Sequence, residues 1–280
     1  MSLLNRTSLV ALCAVGVGHF GPYATAIQPL RRRFLPGLAG VGNSLTVAIT
    51  FDDGPDPLST PQILDELERL ALTATFFVLG SMVRNAPELT RELVDRGHEV
   101  GLHGDAHRSH ILRSPLAVYN DLSRSLDTVC EATGAPVTLF RPPYGSLSGG
   151  SLYAARRLGL QTVLWTAWGR DWRSEATPTS VRDALLPDLV GGATILLHDS
   201  DCTSAPLSWL STLGALPLLA HILESKKLTA VSLSAHIQGR SNEVVRAARQ
   251  DRSDCPEPAP TGFGSTLPTQ LDVHAVRRGD

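Results

Sequence analysis

Cysteine, aromatic residues and net charge are all scarce in this sequence. No two cysteines have the CxxC spacing of a metal or redox motif, and we expect free thiols at Cys13, Cys130, Cys202 and Cys255. Aromatic residues make up only 5% of the chain. The formal net charge of −2 gives no indication of a nucleic-acid partner, which would require a basic surface. The remaining composition, 42% hydrophobic and 19% charged, is that of an ordinary globular protein.

Long apolar runs are also lacking. The run SLVALCAVGV at 8–17 stops at Gly18, whereas a transmembrane helix needs roughly 20 apolar residues. With Arg6 before it and the small-residue pattern YATA after it, this run resembles a weak secretory signal. The arginines at 31–33 oppose export of the chain that follows them. The sequence is therefore as compatible with a secreted or membrane-associated protein as with a cytoplasmic one.

Composition divides the 280 residues into three parts. Residues 1–44 form an apolar lead-in, and residues 45–238 have the alternating pattern of a folded domain. From Gly239 onward the chain is rich in Arg, Ser, Asp, Pro and Gly and has little apolar periodicity. We therefore predict a disordered tail at 239–280.

Between these ends, short apolar strands alternate with helices. The strand-like segments are LTVAITF, ATFFVLG, HEVGLH, VTLFR, QTVLWTAW, ATILLHD and LTAVSL. Helix starts such as Thr60-Pro61 and Ser114-Pro115 place a proline directly after a capping residue. About seven β/α repeats with near-continuous apolar strands predict a parallel sheet covered by helices. Both a barrel and a doubly wound sheet fit this α/β pattern.

Polar and charged residues stand where these strands end. They are Asp52, Asp53, His103, His107, Arg141, Asp171 and His198. In a parallel α/β barrel the carboxyl ends of all strands share one rim, and that rim holds the active site. We therefore expect these residues to converge although they are far apart in the sequence.

The converging residues include the parts of a metal-dependent hydrolase. His103 and His107 have the i, i+4 spacing that presents two imidazoles to one ion if the chain turns helically after the strand. One aspartate would complete a set of two nitrogens and one oxygen, with a position left open for water, as in catalytic zinc sites. The metal would make that water more acidic, and the second aspartate would take its proton. A nearby cation also explains why two carboxylates stand side by side in TFDDGP.

Each feature taken alone has a structural interpretation as well. DDG is a common turn, RPPYG can form a rigid turn, and the tryptophans can fill the core. Arg141 can be a salt-bridge partner, His198 can be a core histidine, and His110 illustrates a nearby histidine without a ligand role. The joint position of these residues at strand ends favours the catalytic interpretation.

The motifs TFDDGP, HGDAH, RPPYG, GRDW and LLH resemble, in order and separation, those of the polysaccharide deacetylase family, carbohydrate esterase family 4. The resemblance covers residues 45–235 and makes 45–238 the catalytic domain. It implies a distorted (β/α) barrel of about seven parallel strands. It also implies a hydrolase that removes acetyl groups from carbohydrates such as chitin, chitooligosaccharides, peptidoglycan or xylan. One divalent metal, with Zn²⁺ as the expected ion, would be its cofactor.

The resemblance assigns a role to each matching residue. Asp52 would be the general base, and the metal ligands would be Asp53, His103 and His107. The remaining catalytic residues would be Arg141, which orients the base, Tyr144, whose backbone N–H stabilises the oxyanion, His198, the general acid, and Asp171, its partner. The substrate contacts would be Trp172 and Leu196, which wall the acetyl pocket, together with Trp168 and Pro143.

Two positions depart from the family pattern. Gly104 stands where a serine or threonine usually follows the first histidine, and Asp105 is a candidate substitute for the missing hydroxyl. Trp168 stands where the fourth motif often begins with an aspartate, and it adds an aromatic face that suits sugar stacking or a more hydrophobic acyl compound. Neither departure removes a metal ligand, the base or the acid, but both leave the substrate open.

Three functions are compatible with these residues. The first is deacetylation of an N-acetylated polysaccharide, oligosaccharide or glycoside. The second is hydrolysis of another amide, such as a cyclic amide, on the same scaffold. The third is sugar binding without catalysis, which the complete set of catalytic residues disfavours. The expected partner is an acetylated carbohydrate, with no nucleic acid and no protein partner indicated.

Overall fold

A computed structural model describes residues 13, 14 and 16–253, and its centre is a parallel sheet of short buried strands. Segments such as ATFFV are buried at every position, as expected for strands covered on both faces. The strands are β1 (Thr46–Asp52), β2 (Ala74–Val78), β3 (Glu99–Leu102), β4 (Leu139–Phe140), β5 (Gln161–Thr162), β6 (Ala167–Trp168), β7 (Thr194–His198) and β8 (Thr229–Ala230).

The order of the strands brings the ends of distant segments together. Along the sheet the order is β5-β4-β3-β2-β1-β7-β6, with β8 also paired to β1, and every pairing is parallel. Asp52 at the end of β1 lies in register with Phe77 on one side and His198 on the other. The prediction of an α/β fold with a distorted parallel barrel is confirmed.

The prediction of a single strand at QTVLWTAW is wrong, because this segment forms two strands at opposite ends of the sheet. β5 pairs with β4 and β6 pairs with β7, so residues 163–166 cross the gap between the two edges. The Arg141 guanidinium donates to the carbonyls of Val163 (3.3 Å) and Leu164 (2.9 Å) in this crossing. The Leu164 N–H donates to the Leu38 carbonyl at 2.8 Å. These long-range bonds replace the strand ladder that the apolar pattern suggested.

Helices cover the sheet between successive strands. They are α1 (Gln28–Phe34), α2 (Thr60–Arg69), α3 (Gly80–Asn85), α4 (Pro87–Asp95), α5 (Pro115–Thr133), α6 (Gly149–Arg157), α7 (Pro178–Leu185), α8 (Trp209–Ser225) and α9 (Leu233–Ser253), with 3₁₀ turns at Gly21–Ala26 and Pro143–Gly145. Ser114 caps α5 as predicted, because its side chain accepts a hydrogen bond from the backbone N–H of Ala117. The short helix α3 was not predicted; it begins at Gly80, the last residue of the segment ATFFVLG.

Part of the lead-in, ahead of the domain start predicted at residue 45, packs against the sheet. Arg31 is buried and donates to the carbonyls of Thr25 and Trp165, both at 2.7 Å. Gln28 donates to the carbonyl of Thr166. A buried guanidinium needs such acceptors, and the crossing at 163–166 supplies one of them, the Trp165 carbonyl.

Helix α9 extends across the domain end predicted at residue 238 and continues to Ser253. Arg240 donates to the Val41 carbonyl at 3.3 Å, and Ser44 Oγ donates to Glu243 at 2.8 Å. The chain divides into the units Met1–Val244 and Val245–Asp280, and of the second unit the structure describes only the helix end. The rest of the predicted tail, 254–280, lies outside the described residues, as does the beginning of the lead-in at 1–12.

Two predictions about the described part can be compared directly with the structure. Cys13, Cys130 and Cys202 are free thiols as predicted, whereas Cys255 lies outside the described residues. Among the helices of the described part, none combines the length and the apolar character needed to cross a membrane.

Candidate active site

The two adjacent aspartates occupy the end of a buried central strand. Asp52 is the last residue of β1, and both carboxylates are almost completely buried. Asp53 has φ 82°, a left-handed conformation that Asp adopts more readily than most residues. This sharp turn interrupts the alternation of the strand, so both carboxylates line the same cavity.

Asp53 lies against the two histidines that the sequence grouped with it. Its Oδ1 is 3.4 Å from Nε2 of His103 and 3.4 Å from Nε2 of His107, and one ligand atom from each residue lies within 4.8 Å of the others. The chain between the histidines does not turn helically as expected. It bends at Gly104, whose φ of +97° favours glycine over the usual serine or threonine.

The charge states and hydrogen bonds of these three residues fit a divalent cation. Burial lowers the pKa of His103 well below its usual value and also lowers that of His107, so both imidazoles are neutral and able to ligate. His103 Nδ1 lies 2.8 Å from the Arg141 carbonyl, which accepts a hydrogen bond from Nδ1–H and leaves Nε2 free to ligate. The buried Oδ1 of Asp53 has no hydrogen-bond partner among the described residues. A cation is the partner that would satisfy this oxygen.

Asp52 is held from behind by Arg141. The fully buried guanidinium donates to Asp52 Oδ1 and to Thr50 Oγ1, both at 2.7 Å, and stands 4.0 Å above the ring of Phe77. Desolvation raises the pKa of Asp52 to about 6, although the charge of Arg141 opposes the shift. The carboxyl therefore titrates close to neutrality, in the range useful for a general base.

His198, at the end of β7, is fixed by Asp171. Its Nδ1 lies 2.9 Å from Asp171 Oδ1, and its backbone N–H donates to Asp171 Oδ2 at 2.7 Å. Thr212 Oγ1 donates to the same Oδ2 at 2.6 Å. Burial disfavours the charged imidazole, but Asp171 together with Asp53 and Asp52 raises the pKa of His198 to about 10. Asp171 thus holds His198 in the protonated form with Nδ1 occupied.

A cavity of about 360 Å³ joins these groups. Its lining comprises Asp52, Asp53, His103, His107, Tyr144, Gly145, Trp165, Trp168, Trp172, Leu196, His198, Thr203 and Ser204. Arg141 and Asp171 do not line the cavity; Arg141 binds Asp52 and Asp171 binds His198. Pro143 is the predicted contact that the structure does not place in the lining; it is buried beside Tyr144, whose ring packs 4.2 Å from that of His107.

Two residues of the loop after β7, Asp199 and Thr203, also contact the aspartate turn, and no motif or spacing in the sequence indicates either of them. Thr203 Oγ1 donates to Asp53 Oδ2 at 2.7 Å. Asp199 is buried and accepts a hydrogen bond from Thr60 Oγ1 at 2.6 Å, so Thr60 is not the cap predicted for α2. A Cβ on Gly54 would stand 2.1 Å from Asp199 Oδ2, which explains the glycine after the two aspartates.

His110 and Asp105 do not belong to the group of possible metal ligands. His110 is buried with Nδ1 3.3 Å from Ser151 Oγ, and burial lowers its pKa to about 4. Asp105 forms ion pairs with Arg84 (2.7 Å) and Arg124 (2.8 Å). Asp105 therefore anchors the histidine loop to neighbouring helices through arginines.

Comparison with known proteins places the chain in a family. The family model for polysaccharide deacetylase matches residues 40–163. Peptidoglycan-N-acetylglucosamine deacetylase from Bacillus cereus is 37% identical over 159 residues, which are 56% of this chain and 74% of that protein. Peptidoglycan-N-acetylglucosamine deacetylase PgdA from Listeria monocytogenes is 34% identical over 188 residues, which are 65% of this chain but only 40% of the relative's length.

A solved structure has the same architecture. Peptidoglycan deacetylase PdaC from Bacillus subtilis superposes with a TM-score of 0.63 at 28% identity, covering 78% of this chain and 99% of that one. The family match includes the aspartate turn, both histidines and Arg141. This chain therefore belongs to the polysaccharide deacetylase family, carbohydrate esterase family 4.

Proposed function

We propose that the chain hydrolyses acetyl groups from an N-acetylated carbohydrate with the help of one divalent metal ion. The observation that carries this proposal is the convergence of Asp53, His103 and His107 beside Asp52 and His198 in one cavity. The relatives are named as deacetylases of peptidoglycan and of chitooligosaccharides, which supports the substrate class.

Asp53, His103 and His107 would hold the metal. Two imidazole nitrogens and one carboxylate oxygen are a ligand set that suits Zn²⁺, the ion we expect. When bound, such an ion supplies Lewis acidity, polarising the acetyl carbonyl and making a water molecule more acidic. Thr203 and the Arg141 carbonyl keep Asp53 and His103 in their orientations.

Asp52 would accept the proton of the attacking water. Its carboxyl lines the cavity. Arg141 donates a hydrogen bond to Oδ1, so Oδ2 is the oxygen that would accept the proton. A pKa of about 6 allows the group to be ionised at neutral pH and still to accept a proton during the reaction. Arg141 is therefore a positioning residue that acts through Asp52.

His198 would donate a proton to the departing amine. Asp171 binds Nδ1, so the proton available to the cavity is the one on Nε2. The backbone N–H of Tyr144 would stabilise the negative charge that develops on the acetyl oxygen. Both residues line the cavity that the acetyl group must enter.

The cavity walls favour a sugar or another flat apolar group beside the acetyl pocket. The ring centroids of Trp165 and Trp168 are 5.8 Å apart, and those of Trp168 and Trp172 are 6.3 Å apart. Such aromatic faces suit the apolar faces of sugar rings, and Leu196 adds an apolar wall. The same walls would admit a cyclic amide, so this second substrate class belongs in the same test.

The deciding experiment measures acetate release together with metal content. Purified protein is supplied with Zn²⁺ and incubated with chitooligosaccharides, peptidoglycan fragments, acetylated xylan and a panel of cyclic amides. We expect acetate from at least one N-acetylated sugar, and loss of that activity on chelation. Ring opening of a cyclic amide without acetate release would favour the second class. Tight sugar binding with no turnover at any metal loading would favour a binding protein.

A further inference from the structure

The lead-in exposes a row of large apolar side chains. Its members recur every three or four residues and are Val17, Phe20, Tyr23, Ile27, Leu30 and Phe34. Large apolar side chains are usually buried in the core, yet Val17 is 72% exposed and Phe34 is 70% exposed. In helical turns this spacing places side chains on one face. All six side chains are exposed; we refer to these six residues as the apolar row.

A cavity of about 970 Å³ extends the apolar row toward α6 and β5. Its apolar lining includes Leu30, Phe34, Leu35, Leu147, Leu152 and Leu160, and no lining residue is acidic. Tyr153 on α6 is also exposed beside it. Monomeric proteins rarely leave so large a contiguous apolar surface in water, so a partner is expected to cover it.

Arginines predominate among the charged residues around the apolar row, and the acidic Asp188 there is paired with one of them, Arg32. Residues 1–51 contain no aspartate or glutamate and four arginines, which gives +4 (four minus zero), whereas the whole chain carries −2. Arg31 is buried and Arg32 pairs with Asp188, but Arg33 is exposed. Across the cavity, the residues of α6 at 156 and 157 are also exposed arginines. An apolar face bordered by cations is complementary to an anionic, apolar surface.

We propose that the apolar row and its arginines bind the surface of an anionic lipid bilayer, with the lead-in lying in the plane of the interface. Interfacial helices combine large apolar side chains with arginines in this way. Further apolar residues, at 8–14, precede the row in the sequence. A second copy of the chain is a poorer occupant, because pairing this face with itself would bring two clusters of arginines together.

The position of the apolar row relates this surface to the active-site cavity. Arg31, within the lead-in, donates to the carbonyl of Trp165, whose side chain lines the active-site cavity. The lead-in and the active site thus flank the same crossing at 163–166. Binding at the interface would hold the active site close to the bilayer.

Cosedimentation of the full chain with lipid vesicles tests the proposal. We expect binding to vesicles of phosphatidylcholine with phosphatidylglycerol, weaker binding to phosphatidylcholine alone, and weaker binding to the anionic vesicles as salt is raised. Phe20→Asp with Phe34→Asp should lower the vesicle partition coefficient about tenfold or more. Two aromatic side chains that would be buried in the bilayer are then replaced by charges. The control, Leu45→Asp with Leu112→Asp, changes side chains that are 68% and 90% exposed elsewhere and should bind like the parent.

Arg33→Glu with Arg157→Glu gives a second test that leaves the apolar row intact. This variant should lose the preference for anionic vesicles while its thermal unfolding midpoint stays near that of the parent. Absence of parent binding to anionic vesicles would overturn the proposal. So would unchanged binding in both double variants. A lipid-free dimer that the Phe20 and Phe34 substitutions convert to a monomer would assign the face to a second copy instead.

Discussion

Thr203 donates its hydroxyl to Oδ2 of Asp53 across 2.7 Å, and this leaves Oδ1 to face the two histidines. The two oxygens of one carboxylate therefore have different partners. Oδ2 is fixed by a loop that follows β7, whereas Oδ1 has no hydrogen-bond partner within the described part of the chain. A residue 150 positions away in sequence thus orients the proposed metal ligand.

Thr203→Val should weaken metal binding while leaving the fold intact. Loss of such an outer hydrogen bond typically costs about 10- to 100-fold in metal affinity or activity. Competition with a chromogenic chelator measures the change. Thr203→Ser keeps the hydroxyl and should bind like the parent, and Ser204→Ala controls for changes in the same loop. Equal metal affinity in Thr203→Val and the parent would remove Thr203 from this role.

His103→Ala with His107→Ala should abolish retention of the metal. The parent should hold about one divalent ion per chain, because the structure brings together one such ligand set among the described residues. Elemental analysis after gel filtration measures the content. His221→Ala removes an exposed histidine elsewhere and should retain metal. Retention by the double variant at the parent level would refute the ligand assignment.

The two neighbouring aspartates should respond differently to the same substitution. Asp52→Asn should keep the metal and lose roughly 10²- to 10⁴-fold in activity, as expected for a general base. Asp53→Asn should lose metal instead. Because Asp52 must be ionised, activity should fall as the pH drops through its pKa of about 6. Metal content and a pH–rate profile of each variant distinguish the roles, and the reverse pattern would exchange them.

Asp171→Asn should move the alkaline limb of the pH–rate profile to lower pH. His198 must be protonated to act as an acid, so activity is lost as the pH rises through its pKa, which Asp171 helps to raise to about 10. A cation on Asp53 would cancel part of that shift, so the movement of the limb matters more than its position. His198→Ala should cost less on an acetate ester than on an N-acetyl amide, because the ester has a better leaving group. Equal losses with an unmoved limb would contradict the acid role.

Gly104→Ser should destabilise the protein although it restores the residue usual in the family. A Cβ at this position would meet no atom closer than 3.6 Å, so space is sufficient. The cost comes from φ +97°, and such backbone strain is on the order of 1–3 kcal/mol. Chemical unfolding measures it, with Gly37→Ser as control, since no atom lies within 4 Å of a Cβ there. A stable Gly104→Ser variant would indicate that the histidine loop readily changes conformation.

The strand pattern and the polar rim of this protein follow from its amino-acid order alone. Strands such as ATFFV are encoded by a local run of apolar residues, and parallel topology then requires their carboxyl ends to meet. For that reason the strand pattern alone predicts that Asp52, His103 and His198 lie together. Their proposed chemical roles follow from residue type and from the resemblance to the family.

Tertiary structure alone decided the interruption of QTVLWTAW, the burial of Arg31 and the contact of Thr203 with Asp53. Each depends on hydrogen bonds between residues far apart in sequence: Arg141 with the crossing at 163–166, Arg31 with Trp165, and a loop hydroxyl with the aspartate turn. No local periodicity or turn signal encodes such pairs, because either partner alone is compatible with a strand, a charged helix or a surface loop. Only the packed fold brings a buried donor within reach of its distant acceptor and makes that bond necessary.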